Sequence, residues 1–289
     1  MNETFLQETI ASLTGHPLTR LTLHHVGGGS INNCYRVSDD SHTYFLKVNN
    51  ASRYPGLFET EKQGLGLLAS KDCIRTPRVL YCGTQDTDQL LLLEWIGSGS
   101  KTGPFWKKFG EQLAQLHRCT QDQFGLTGDN YMGSLVQKNN PTDTWTEFFI
   151  YQRIMPQVEL ALSNGLLNAH HVDLFQQLCK KLGNFFEPEP PSLLHGDLWS
   201  GNFMCDSQSA PVLIDPAVYY GHRSIDLGMT TLFGGFDHSF YEAYHYHFPL
   251  PANHEDQWEI CNLYPLLIHL NLFGQSYLSQ VVDTLKRFG

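Results

Sequence analysis

Little in this chain could hold it in a membrane. Its longest uninterrupted apolar stretches, such as 90–93, fall far short of the roughly 20 residues that a spanning helix needs. The opening Met1-Asn2-Glu3-Thr4 has no basic segment followed by an apolar run, so no secretory leader is expected. Positive charge is scarce: 19 Lys and Arg stand against 29 Asp and Glu, a formal net charge of −10. A chain that acidic is repelled by a phosphate backbone and by anionic lipid, so nucleic acid and membranes are not expected partners. The seven cysteines include no Cys-x-x-Cys pair, and their odd number suits reduced thiols in a cytoplasmic protein. The Gly-x-Ser-x-Gly elbow of serine hydrolases and the Walker A phosphate loop are also missing. Among the 14 histidines, His245 and His247 cannot share a helix face, and His117, four after Leu113, reads as a core histidine. No zinc site is expected.

What is present is enough for a sizeable core: 289 residues, 41% of them hydrophobic. The first third reads as strands over 21–26, 34–37, 43–48, 78–82 and 89–96, with turns at 38–41 and 83–88 and one helix over 58–68. At Gly97-Ser98-Gly99-Ser100-Lys101-Thr102-Gly103 the composition changes to that of a flexible linker. Beyond it the period becomes helical: Phe105, Phe109, Leu113 and Leu116 mark one face, and 142–162 and 171–186 are further helices. A compact strand-like insert over 193–214 interrupts them. The expected fold is α+β and two-lobed, with a small antiparallel-sheet lobe over 1–96 and a mostly helical lobe over 97–289.

The chemistry centres on His195-Gly196-Asp197-Leu198-Trp199-Ser200-Gly201-Asn202. It contains Asp-x-x-x-x-Asn, the catalytic-loop spacing of the protein-kinase template, with Gly in place of the usual Arg after His. A strand, a turn at 206–209 and a return strand ending at Asp215 follow. That hairpin places Asn202 and Asp215 side by side, with Asp197 just before them. Asn plus Asp suits Mg²⁺, and Asp197 is left to accept a hydroxyl proton. Lys47 lies in the strand Tyr44-Phe45-Leu46-Lys47-Val48. Glu61 falls on the apolar stripe Phe58, Glu61, Leu65, Leu68, where a carboxylate needs a cationic partner, and Lys47 is the natural one for orienting ATP phosphates. Gly28, Gly29 and Ser30, in the glycine run between two strands, could let backbone N–H groups approach phosphate, although a plain hairpin turn fits the run equally well. Leu92, Leu93, Glu94, Trp95 and Ile96 lead into the linker, where an adenine-binding hinge is expected. Trp199 either packs on a sugar near the accepting hydroxyl or serves the core. Arg153 reads as a surface ion-pair residue.

These residues resemble a known family. Leu194 through Asn202, together with Ile214-Asp215-Pro216-Ala217-Val218-Tyr219-Tyr220-Gly221-His222-Arg223, is closely similar to the fructosamine kinase (ketosamine 3-kinase) family, in which Asp-Pro-Ala replaces Asp-Phe-Gly. Phe45-Leu46-Lys47-Val48-Asn49, Phe58-Glu59-Thr60-Glu61, Leu116-His117-Arg118 and Gln137 through Phe149 add to the likeness, which runs from about Gly15 to Tyr277. The resemblance implies an aminoglycoside-phosphotransferase-like fold. It also implies transfer of the ATP γ-phosphate, with Mg²⁺, to the 3-hydroxyl of ribulosamines, erythrulosamines or fructosamines, free or on glycated protein lysines, which promotes deglycation. Asp197 is then the catalytic base, Asn202 and Asp215 the metal ligands, and Lys47 and Glu61 the phosphate-setting pair. Trp199 lies near the sugar, and His195 and Asp226 brace the catalytic loop. A monomer is expected. Two departures stand out: Ser224 replaces the Glu expected after His-Arg, which puts a salt bridge there in doubt, and Ser30 stands where some relatives carry a redox-active Cys. The alternatives are another small-molecule kinase of this fold, acting on an aminoglycoside, choline or a sugar, or a non-catalytic nucleotide-binding protein.

Overall fold

Strand alternation builds the first lobe from both faces of one sheet. The computed structural model describes residues 3–15, 21–27, 31–39 and 41–289; Gly28, Gly29 and Ser30 lie outside them. Strands β1 (Thr22–Val26), β2 (Asn33–Ser38), β3 (Thr43–Asn50), β4 (Val79–Gln85) and β5 (Asp88–Glu94) form an antiparallel sheet ordered β1-β2-β3-β5-β4. Successive side chains point to opposite faces. Tyr44, Leu46 and Val48 of β3 and Leu90 and Leu92 of β5 pack with Leu6 and Ile10 of helix α1 (Glu3–Thr14). Leu91 and Leu93 pack on the other face with Leu57, Phe58 and Leu65 of α2 (Leu57–Ala69). The same alternation sends Lys47 toward α2. The expected strands and helix are present, but α1 was not anticipated, β4 runs on to Gln85, and β5 stops at Glu94 rather than 96.

The rest is mostly helical. Helix α3 (Gly103–His117) leads to a hairpin of β6 (Asn130–Met132) and β7 (Leu135–Gln137), then to α4 (Trp145–Phe148), a π turn (Phe149–Ile154) and α5 (Met155–Ser163). After α6 (Ala169–Lys181) come β8 (Ser192–Leu194), the hairpin β9 (Phe203–Cys205)–β10 (Pro211–Leu213), and β11 (Tyr219–Gly221), which pairs with β8. Helices α7 (Ser224–Leu232), α8 (His238–His247), α9 (His254–Cys261), α10 (Leu263–Phe273) and α11 (Leu278–Phe288) follow. Phe105, Phe109, Leu113 and Leu116 of α3 are buried, as their spacing predicts. Helices α3 and α8 come together at Gly110, where a β-carbon would fall 2.2 Å from the Phe240 carbonyl oxygen. The expected 142–162 helix is instead broken by the π turn.

The two parts touch closely. Arg75, in the α2–β4 connection, pairs with Glu94 and, at 2.7 Å, with Asp206 beyond β9, while the Leu213 N–H donates to the Arg75 carbonyl at 2.9 Å. A β-carbon on Gly64 of α2 would meet Val218 at 3.1 Å. The architecture is α+β, two-lobed and protein-kinase-like. Among the described residues no helix is long and apolar enough to cross a membrane.

Candidate active site

The β8 strand delivers the loop 195–202 into the cleft with its backbone tied down. Asp226, wholly buried near the start of α7, accepts the N–H of His195 at 2.7 Å and of Gly196 at 2.8 Å. It also accepts Nε2–H of His117 at 3.1 Å, and the opposite ring nitrogen of His117 bonds the Tyr244 hydroxyl at 2.8 Å. His195 spans the loop: Nε2 donates to the Ile214 carbonyl at 2.9 Å, and Nδ1 accepts the Asp197 N–H at 3.2 Å. Burial lowers the His195 pKa, which favours the neutral ring that this pattern requires. Gly196 has φ 85°, and a β-carbon there would lie 2.0 Å from the Ala217 carbonyl oxygen. Arg, usual after His in the kinase template, has no room at this position.

Asp197 sits at the cleft floor. Nδ2 of Asn202 donates to its carboxylate at 2.8 Å and to its carbonyl at 2.9 Å. Desolvation pushes the Asp197 pKa up to about 7, the Asn202 bond opposes that, and the charges of Asp215 and Asp226 add to it. Because Asn202 turns its nitrogen to Asp197, its Oδ1 is the free end of the amide, with no hydrogen bond among the described residues. Asp215 has φ 54°, a left-handed backbone that costs a non-glycine residue roughly 1 kcal/mol. The β9–β10 hairpin joins them through the Ile214 N–H, which donates to the Asn202 carbonyl at 3.0 Å.

Lys47, 2% exposed, donates to Glu61 at 2.7 Å and to Asp215 at 2.5 Å. Burial alone would depress its pKa; the carboxylates of Asp215 and Glu61 overcome this and hold it above the usual lysine range, so it stays charged. Burial pushes Glu61 upward against the pull of Lys47. The sequence pointed to Lys47 with Glu61; the contact to Asp215, 168 residues away, has no local signal.

A cleft of about 460 Å³ joins these groups, lined by Lys47, Glu61, Asp197, Asn202 and Asp215 on one side and by Trp199, Phe233, His269, Phe273 and Tyr277 on another. Trp199 is 36% exposed and meets Phe233 edge-on at 6.0 Å, so it belongs to the cleft wall and not to the core. Its ring lies over Gly201, where a β-carbon would come within 2.3 Å. The aromatic wall beyond Trp199 has no local sequence signal, because its members are scattered over the end of α7, α10 and the turn that follows α10. Leu92, Leu93, Glu94, Trp95 and Ile96 do not line this cleft. Leu92 and Leu93 are core residues, and the Glu94 carboxylate is spent on Arg75 and Arg78. Cys34 does line it, but burial raises its pKa and keeps the thiol protonated.

Two expectations change. Arg153 is not on the surface: it is 0% exposed, lies 3.8 Å over the Tyr219 ring, and binds carbonyls and Asn139 rather than a carboxylate. The surface expectation follows from residue type, since an arginine is rarely fully buried without a carboxylate partner; its i+4 spacing from Phe149 agrees with the buried position observed. Ser224 does not cost the site a salt bridge. Arg223 pairs bidentately with Glu189 at 2.8 and 2.9 Å, and the Ser224 hydroxyl donates to Gln257.

Among the described residues no cluster of three or more His, Cys, Asp or Glu side chains forms a metal cage. Mg²⁺ fits the alternative: the free Oδ1 of Asn202 and the Asp215 carboxylate are hard oxygen donors, and this ion completes its shell with phosphate and water.

A family model described as fructosamine kinase matches residues 2–288. A probable ketoamine kinase of Enterococcus faecium is 40% identical over 266 residues, covering 91% of this chain and 94% of its own. A chloroplastic protein-ribulosamine 3-kinase of Arabidopsis thaliana is 35% identical over 296 residues, covering 100% of this chain and 88% of its own. The crystal structure of a Haemophilus somnus protein named as a fructosamine-3-kinase superposes with a TM-score of 0.88 at 28% identity, over 98% of this chain and 96% of that one. An aminoglycoside phosphotransferase crystallised with AMP-PNP and hygromycin B shares the fold, with a TM-score of 0.65 at 14% identity over 99% of each chain. With residues 2–288 matched and the 195–202 and Asp-Pro-Ala segments held in one cleft, the chain belongs to the fructosamine kinase family.

Proposed function

We propose that this kinase transfers the γ-phosphate of ATP to the 3-hydroxyl of a ketosamine, such as a ribulosamine, erythrulosamine or fructosamine, free or on a glycated protein lysine. One observation carries the reading: Asp197, Asn202 and Asp215 share a cleft with the buried Lys47–Glu61 pair and with an exposed aromatic wall. In this reading Asp197 takes the hydroxyl proton as the oxygen attacks phosphorus. A pKa near 7 suits a base working at neutral pH. Lys47, kept charged, would hold ATP phosphates, with Glu61 fixing its position. Asn202 and Asp215 would hold Mg²⁺, which neutralises phosphate charge when bound. His195 and Asp226 set the loop that aims Asp197. Trp199 would face the sugar. Gly28, Gly29 and Ser30 would cover the phosphates, and adenine would meet the 92–96 segment through the backbone of Trp95 and Ile96, past the paired end of β5 and beyond the cleft described, between lobes divided at 96 and 97.

The unpaired thiols of all seven cysteines suit a reducing compartment, and we place the enzyme in the cytoplasm as a monomer. The test is phosphate transfer from labelled ATP to a ketosamine panel, with free sugars, choline and aminoglycosides alongside. Turnover of a ketosamine that needs Mg²⁺ and is lost in Asp197→Ala supports the reading. Faster turnover of a free sugar or alcohol would overturn the acceptor, and nucleotide binding without any transfer would overturn the activity.

A further inference from the structure

We infer that Gln137 and Asn130, on the β6–β7 hairpin, are positioning residues for Asp215, so that a buried amide clamp sets the metal-facing carboxylate. The inference rests on the reading of Asp215 as a metal ligand. The left-handed backbone at Asp215 needs its neighbours to hold it. On the near side, the Ile214 N–H bonds the Asn202 carbonyl, and the Ala217 N–H bonds the His195 carbonyl at 2.9 Å. The two following carbonyls are captured from the hairpin: Gln137 Nε2 donates to Ala217 O at 3.1 Å, and Asn130 Nδ2 donates to Val218 O at 2.8 Å.

The orientation of both amides is fixed by further partners. Gln137 Nε2 also donates to Asn130 Oδ1 at 2.8 Å, while its own Oε1 accepts the Tyr264 hydroxyl at 2.9 Å. Asn130 Oδ1 accepts a second bond, from Asn139 Nδ2, at 2.9 Å. Asn139 Oδ1 in turn accepts Arg153 Nη2 at 2.8 Å. Two donor chains therefore run the same way, from Tyr264 through Gln137 to Ala217, and from Arg153 through Asn139 and Asn130 to Val218. Asn130, Gln137, Asn139, Arg153 and Tyr264 are all buried, so water does not substitute for a lost partner, and flipping either amide sets its oxygen against a backbone carbonyl, acceptor against acceptor. A buried guanidinium with no carboxylate partner finds its use here as the head of one chain. The hairpin also reaches the small lobe, where the Tyr131 hydroxyl bonds the Pro55 carbonyl at 2.9 Å, just ahead of α2. One short element thus touches both the Asp215 segment and the entrance to the helix that carries Glu61.

The experiment titrates a fluorescent ATP analogue onto wild type, Gln137→Met and Tyr264→Phe, with Mg²⁺ and in EDTA. No acceptor is needed, so a failure of the ketosamine assignment would not affect it. A clamp that aims Asp215 predicts that the Mg²⁺ concentration for half-maximal binding rises about tenfold in Gln137→Met, the scale typical of outer-shell changes, and by a smaller factor in Tyr264→Phe. Affinity in EDTA stays at the wild-type value. Should Gln137→Met not fold, the volume-conserving Tyr264→Phe decides alone. Unchanged Mg²⁺ dependence in the folded variants, equal loss with and without Mg²⁺, or wild-type binding indifferent to Mg²⁺ would each overturn the inference.

Discussion

Replacing Asp226 by Asn keeps the shape of the side chain and removes an acceptor that three donors share. The carboxylate is fully buried and receives the N–H groups of His195 and Gly196 and Nε2–H of His117. An Asn that keeps its oxygen toward His195 and His117 points its NH₂ at the Gly196 N–H. One charge-assisted bond is lost, worth about 1.5–3 kcal/mol, and a buried N–H is left unpaired at about 1–3 kcal/mol. The two surviving bonds weaken with the charge. Relief from burying an ion offsets part of this, because a buried charge carries its own desolvation cost. The net expectation is about 3 kcal/mol of lost stability, or a melting temperature lower by roughly 6–12 °C for a chain of this size. Activity should fall further than stability, because a loop shifted by about 1 Å costs on the order of 100-fold when it carries the base. Differential scanning fluorimetry and steady-state turnover at 20 °C, where the variant is folded, separate the two effects. A melting temperature within 1 °C of wild type, with full kcat, would refute the bracing role of Asp226.

Asp197→Asn should behave in the opposite way, with kcat down by about 10²–10⁴-fold and the melting temperature unchanged or raised, since it removes a poorly solvated carboxylate that faces Asp215 and Asp226. Gly196→Ala should lower the denaturant midpoint by the equivalent of at least about 2 kcal/mol, because the new β-carbon meets the Ala217 carbonyl and the backbone is left-handed. His222 sets a pH dependence of stability. Burial, with Arg223 and His117 nearby, lowers its pKa to about 4 despite Glu189, so the folded state keeps the ring neutral where the unfolded chain protonates it. Its contribution is intact above about pH 6.5 and is lost progressively down to about pH 4, to a total of about 3 kcal/mol. Urea unfolding at pH 7 and pH 5 should show a smaller decline for His222→Gln than for wild type, and parallel declines would show that the ring is not the cause.

The parts of the site legible in the sequence were those that the chain brings together locally. Asp197, Asn202 and Asp215 lie within one loop and hairpin, and the spacing of Phe58, Glu61, Leu65 and Leu68 put Glu61 on the buried face of α2 before any partner was seen. Lys47 followed as the cationic partner that a carboxylate on a buried face needs. What stayed hidden depends on tertiary pairing. Asn130, Gln137 and Asn139 have the composition of a solvated loop, yet they are buried because each finds complementary amides or carbonyls from distant segments. The strands β6 and β7 are three residues each, too short for alternation to register. Helix α1 buries only Leu6 and Ile10, an apolar stripe that acquires meaning once the sheet lies beneath it. Arg153 reads as a surface residue by type alone, because the carbonyls and the Asn139 amide that satisfy it in the interior come from the tertiary fold.

The four leucines in a row on β5 look excessive for a strand with one wet side. Here the strand has none, since α1 covers Leu90 and Leu92 while α2 covers Leu91 and Leu93. The small lobe is therefore a three-layer stack whose outermost slab is supplied by residues 3–14. Trimming that slab would leave the lysine side of the sheet in place but bare an oily floor made of Val37, Leu46 and Leu90, and the shortened chain would tend to clump before it lost its catalytic groups.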